Sequence, residues 1–171
     1  MIQVITRREA ALGYAQRNWA VFPLYEPSEN GRCSCGNPEC SSPAKHPRTS
    51  RGVLEATTNP ARINAWWGQW PEANVAVATG RRSGVVVLDV DPRHGGDKSL
   101  AELEAQCGKI KTLECETGGG GRHLYFIAPE AGLKNKVGLL PGLDVRGDNG
   151  YVVAPPSTHI TGGLYRWKKA A

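Results

Sequence analysis

An α+β fold with a mixed or antiparallel sheet is what this 171-residue sequence predicts, and three observations point to it. Helical patterns are interleaved with many short strand patterns. The aliphatic run Gly84-Val85-Val86-Val87-Leu88-Asp89-Val90-Asp91-Pro92 is apolar on both faces for most of its length, as a buried strand is. Two further strand patterns, 112–116 and 123–127, are joined by four glycines in the manner of a hairpin. The length suits one domain, residues 1–171, with a sizeable core.

Taken in order, Thr6-Arg7-Arg8-Glu9 has capping-box spacing, and Ala10, Ala11, Leu12, Tyr14 and Ala15 follow as a helix despite Gly13. A strand is expected over 21–24. Residues 26–58 are rich in Pro, Ser, Gly and Cys and read as a loop insertion with its own small centre. Asn59 as N-cap and Pro60 at the first helical position open a second helix, which Pro71 closes. Trp66, Trp67 and Trp70 on that helix suit core packing, with base stacking as the alternative. Strands are expected at 75–78 and 85–90, a helix over 98–107, and further strands at 112–116, 123–127, 143–145, 151–153 and 165–167. No internal repeat is visible.

The net charge of +5 suits a polyanionic partner. Arg81, Arg82, Arg93, Arg122 and Arg146 each lie within a few residues of a motif, which suggests phosphate, the alternative being a solvated basic surface. No apolar stretch approaches a membrane span, and the first residues lack a signal peptide's apolar region, so a cytoplasmic chain with no membrane partner is expected.

Strand alternation sets Val85, Val87, Asp89 and Asp91 on one face, so both carboxylates project together. Like charges beside a buried strand need compensation, and a divalent cation is the simplest. Two-metal catalysis usually wants a third carboxylate, and Asp144, alone on the short apolar stretch Pro141-Gly142-Leu143-Asp144-Val145-Arg146-Gly147, is the best candidate. A DxD also serves sugar transferases that bind nucleotide-sugars through one metal. An EF-hand is poorly supported, because its fifth and twelfth positions are Arg93 and Leu100.

In Thr117-Gly118-Gly119-Gly120-Gly121-Arg122-His123, glycines let backbone approach phosphate while Arg122 and His123 supply donors; the alternative is a flexible hairpin. It is neither a Walker A loop nor a dinucleotide fingerprint. Cys33, Cys35, Cys40 and His46 form a Cys₃His set suited to a structural zinc ion, with free thiols as the alternative. Cys107 and Cys115, on helix and strand, are read as small core residues. His94 and His159 are assigned surface roles.

Together these pieces resemble the prim-pol domain of bifunctional DNA primase/polymerases of plasmid and phage type, within the archaeo-eukaryotic primase superfamily. The resemblance runs from Trp19-Ala20-Val21-Phe22-Pro23-Leu24 through Trp66-Trp67, Asn74-Val75-Ala76-Val77-Ala78-Thr79-Gly80, Val87-Leu88-Asp89-Val90-Asp91, Gly121-Arg122-His123-Leu124-Tyr125-Phe126 and Gly142-Leu143-Asp144-Val145-Arg146-Gly147 to Gly150-Tyr151-Val152-Val153-Ala154-Pro155-Pro156-Ser157. It implies an RRM-like catalytic module packed with an N-terminal α/β unit, the active site lying between them. Asp89 and Asp91 match the family's first motif and Asp144 its third, implying three carboxylates that bind Mg²⁺ or Mn²⁺. His123 matches the second motif, whose histidine contacts the nucleotide's phosphates. A hydroxyl residue often stands where this chain has Gly121, which leaves backbone donors there. Arg122, Arg146 and Lys45 are added as phosphate ligands, and a Lys45 that reached the site would be placed partly by the cysteine loop.

The implied reaction is template-directed nucleotidyl transfer from dNTP or NTP on single-stranded DNA template and primer. Family members often need a following helical region to initiate and commonly carry a helicase; such a region or separate partner is expected, and extension more readily than priming. The rival readings are another DxD nucleotidyl- or glycosyltransferase and a zinc-containing nucleic-acid-binding module without catalysis.

Overall fold

The computed structural model describes residues 5–168. In chain order its elements are α1 (Arg7–Gln16), β1 (Val21–Leu24), α2 (Pro60–Gln69), β2 (Asn74–Ala78), β3 (Val85–Val90), α3 (Gly96–Cys107), β4 (Leu113–Glu116), β5 (Arg122–Ile127), β6 (Lys136–Leu140), β7 (Leu143–Arg146), β8 (Tyr151–Ala154) and β9 (Arg166–Trp167). Short 3₁₀ turns add Gly52–Glu55 and Pro92–His94. No helix among the described residues is long and apolar enough to cross a membrane.

Local chemistry fixes the helix starts. The Thr6 side chain accepts from the Glu9 N–H while the Glu9 carboxylate accepts from the Thr6 N–H at 2.8 Å, so both orphan donors are satisfied. Asn59 caps α2 by accepting from Ala61 and Arg62. That helix buries Ile63, Trp66 and Trp67, and the Trp67 indole donates to Ala73 O at 3.0 Å. Core packing therefore accounts for these tryptophans; Trp70 is partly buried against the same cluster.

All strand pairings are antiparallel and form two sheets, one ordered β1-β2-β8 and the other β6-β7-β3-β5-β4-β9. Although β2 and β3 are consecutive in the chain, they belong to different sheets. The chain returns to the smaller sheet only at β8, where Ala76 pairs with Val153. Thr79 Oγ1 ties the sheets by donating to Gly147 O at 2.7 Å.

The centre of the six-stranded sheet is covered on both faces. Leu88, Val90, Leu124 and Leu143 pack with Leu100 of α3 on one face. On the other, Val85, Val87, Cys115 and Tyr125 join a larger core with β1, β2, β8, α1 and α2. Because side chains alternate, that second face also carries Asp89 further along the same strand. Residues 25–51 form the expected loop, and Asn74 holds it by donating to Ala44 O at 3.0 Å.

Candidate active site

Register builds the site. Asp89 on β3 lies opposite Asp144 on β7 and opposite His123 on β5, so Asp144, Asp89 and His123 form one row across three strands. Asp91 stands just beyond the strand, its N–H continuing the ladder to Gly142 O at 2.8 Å. Pro92 then turns the chain, and the Asp91 side chain accepts from the Arg93 N–H. A cavity of about 690 Å³ opens on this row, walled also by Lys45, Arg93, His94, Thr117, Arg146 and Tyr165.

The carboxylates are held by cations. Arg146, two residues beyond Asp144 on the same face, sets Nη2 3.1 Å from Asp89 Oδ2 and 2.9 Å from Asp144 Oδ2. Gly138 N donates to Asp144 Oδ1 at 2.7 Å. Asp91 is engaged separately, by Arg93 at 2.8 Å and His94 Nδ1 at 3.0 Å. Those partners, the Arg93 hydrogen bond first, hold the Asp91 carboxyl well below the usual carboxylate range.

His123 is only 6 % exposed, and burial pushes its pKa down to about 4, so the ring is neutral near pH 7. Nε2 lies 3.6 Å from Asp89 Oδ1, and Nδ1 is buried without a hydrogen-bond partner among the described residues. Burial likewise lowers the Lys45 pKa, against the opposing pull of Asp89. Asp89, Asp91 and Asp144 line one cavity and offer the hard oxygen donors that a cation of the Mg²⁺ or Mn²⁺ class takes, although among the described residues only the loop's Cys/His set already has three or more ligand atoms within 4.8 Å of one another.

Four expectations need correction. Arg122 alternates with His123 and so projects to the opposite face, where it pairs with Asp97 at 2.9 Å and Glu114 at 3.7 Å and does not wall the cavity. Arg81 and Arg82 are also structural, one pairing with Asp148 and the other donating to Ala56 O. His94 is on the surface as expected, 73 % exposed and paired with Asp91, but His159 is buried against the glycine turn. Cys107 is exposed, whereas Cys115 is in the core as expected, its thiol pushed up to about 12 by burial.

The glycines serve the chain's own backbone. A Cβ on Gly121 would lie 2.6 Å from Val90 O, and one on Gly118 would strike the Gly163 backbone and His159. The Gly121 N–H, expected to be free, donates to Thr117 Oγ1 at 2.9 Å. Gly119 and Gly121 still line the cavity, and Thr117 lines it beside them; the sequence reading passed Thr117 over, although its place at the opposite end of a tight turn was the available signal.

The second cluster lies in the loop. One ligand atom from each of Cys33, Cys35, Cys40 and His46 lies within 4.8 Å of all the others. Cys33 Sγ is 3.4 Å from His46 Nε2, close to the edge of roughly 3.6 Å expected of a tetrahedron with zinc's bond lengths. The His46 pKa is lowered by burial and by Arg48, which favours the neutral imidazole a metal needs. Burial raises the Cys33 thiol, while the Asn37 N–H lowers that of Cys35. His46 is chain neighbour to Lys45, whose carbonyl accepts from Tyr151 OH at 3.0 Å, so the loop cluster and the cavity meet at consecutive residues.

Residues 11–171 match the family model Prim-Pol, described as bifunctional DNA primase/polymerase, N-terminal. No curated protein matches the chain.

Proposed function

The chain belongs to the Prim-Pol family, and we propose from that premise that it is a DNA primase/polymerase that extends, and with a suitable partner region initiates, strands on single-stranded DNA. The observation that carries this reading is the cross-strand row Asp144, Asp89 and His123 with Asp91 beside it on one cavity. In this reading the six-stranded sheet is the RRM-like catalytic part, and a primer 3′-hydroxyl displaces pyrophosphate from the α-phosphorus of a bound nucleoside triphosphate.

Asp89, Asp91 and Asp144 would hold Mg²⁺ or Mn²⁺. Metal held there would supply Lewis acidity for the attacking hydroxyl and charge neutralisation for the leaving pyrophosphate. The protein supplies the rest. Neutral His123 offers a ring N–H to a phosphate oxygen without bringing charge into a buried place. Lys45, Arg93 and Arg146 ring the cavity with cationic donors suited to a triphosphate. The exposed Lys134 and Lys136 at β6 extend the basic surface toward template, held chiefly through phosphates, so binding falls as salt rises. Cys33, Cys35, Cys40 and His46 would hold a structural zinc ion, which would order the loop and help to place Lys45.

Extension of a labelled primer on single-stranded DNA tests this, with dNTPs and NTPs supplied separately in Mg²⁺ or Mn²⁺ and Asp89→Asn run alongside. Template-directed products from the wild type and none from the variant are expected. No product from folded, metal-loaded wild type would favour a nucleic-acid-binding module instead.

A further inference from the structure

One guanidinium nitrogen lies between two of the carboxylates proposed to hold the cation. Arg146 Nη2 lies 3.1 Å from Asp89 Oδ2 and 2.9 Å from Asp144 Oδ2, oxygens that belong to two different strands and would be shared ligands of an ion. Among the described residues no other side chain relieves that pair so directly. Arg93 and His94 are committed to Asp91, and His123 stands at 3.6 Å from the other oxygen of Asp89. A divalent cation bound to Asp89 Oδ2 and Asp144 Oδ2 therefore excludes Arg146 from its present position. The side chain is 32 % exposed and lines the cavity, so an anion entering there can reach it. Once displaced it needs an anion, and within the cavity of the proposed enzyme that anion is the triphosphate of the nucleotide.

We propose that Arg146 is an exchangeable counter-ion that closes the Asp89–Asp144 pair when no metal is bound and moves to the nucleotide's phosphates when a cation takes its place, coupling metal and nucleotide binding. This rests on the polymerase reading above. Without nucleotide the arginine competes with metal; with nucleotide the competition ends, and by linkage each ligand favours the other. The exchange also keeps two adjacent carboxylates from facing each other uncompensated at any stage.

The experiment is Mn²⁺ binding to the full chain, read by electron paramagnetic resonance without nucleotide or primer, in wild type, Arg146→Gln and Asp89→Asn. Arg146→Gln is expected to bind Mn²⁺ about tenfold tighter than wild type, and to bind a fluorescent dATP analogue about tenfold more weakly at saturating Mn²⁺. Mn²⁺ affinity that is unchanged or lower in Arg146→Gln, while Asp89→Asn still weakens it, overturns the exchange and leaves the polymerase reading standing. Wild type that binds no Mn²⁺, or binds it as well as Asp89→Asn does, removes the metal site and the exchange together. A second readout does not depend on the variant folding well: the Arg146 guanidinium nitrogen resonance of wild type should shift on Mg²⁺ addition, and a resonance unmoved at saturating Mg²⁺ would also overturn the exchange.

Discussion

The carboxylate row and the cysteine loop are two ways of gathering charged ligands, and they differ in what holds them. Asp144, Asp89 and His123 are aligned by backbone register within a six-stranded sheet, so their placement follows from ladder hydrogen bonds. The loop has little ladder: isolated bridges at Leu24–Pro47 and Pro27–Cys33, the buried residues Cys33 and Ala44, and the ion pair of Arg48 with Glu26 at 2.6 Å. Yet the loop cluster converges without a counter-ion, while the carboxylates require Arg146 between them. Protonated thiols and a neutral imidazole carry no charge and crowd without repulsion; carboxylates near neutral pH are charged and do not. Rigid backbone is needed where the ligands repel, and the loop can rely on its ligands because they do not.

The largest effect that would sharpen this contrast comes from Asp144→Asn. Nucleotidyl transfer should fall by about 10³-fold, while zinc content, measured with a chromogenic chelator, stays at the wild-type level. Residual transfer within tenfold of wild type would break the assignment of the row. Next, Cys40→Ser should lose zinc and about 2 kcal/mol of stability, several degrees of thermal midpoint, with amides of β3 and β5 still protected from exchange. Collapse of that protection would mean that the ladder depends on the loop. Gly121→Ala pushes a methyl toward Val90 O where β5 starts beside β3, and a loss of about 1–3 kcal/mol in denaturant unfolding is expected. A neutral result would show that the hairpin yields at this close approach. Smallest is Cys107→Ser, which alters an exposed thiol outside the cluster and should stay within about 0.5 kcal/mol of wild type, with zinc unchanged.

Features set by short stretches of chain were legible in the sequence. The capping box at Thr6 and Glu9, the Asn59-Pro60 helix start and the alternation that places Asp89 on one face are local, as is the spacing that brings Cys33, Cys35, Cys40 and His46 together. Strand β6 escaped notice because Gly138, with φ +65°, and a register shift break its alternation, and Val137 is 76 % exposed. The division of β2 and β3 between two sheets was hidden, since pairing partners lie far along the chain. So was the choice of counter-ions. Five arginines near motifs looked equivalent, but strand alternation turned Arg122 away, and contacts with Asp148 and the 54–56 backbone took up Arg81 and Arg82. That His159 is buried depends on the packing of one turn against another, which no short pattern records.

The return of the chain to β2 at β8 has a consequence for how the protein comes into being. Everything that forms the six-stranded sheet apart from β9 is encoded between those two strands. During synthesis β1 and β2 emerge early and must wait, with one edge of β2 unpaired and its Val75 and Val77 side chains lacking part of their cover, until the site-bearing sheet has been made and Val152 to Ala154 arrive. Pairings of such long sequence separation form slowly, and an apolar strand edge left open in the meantime is a route to aggregation. A nascent chain released before β8 would carry the whole carboxylate row and still be the species most prone to aggregate.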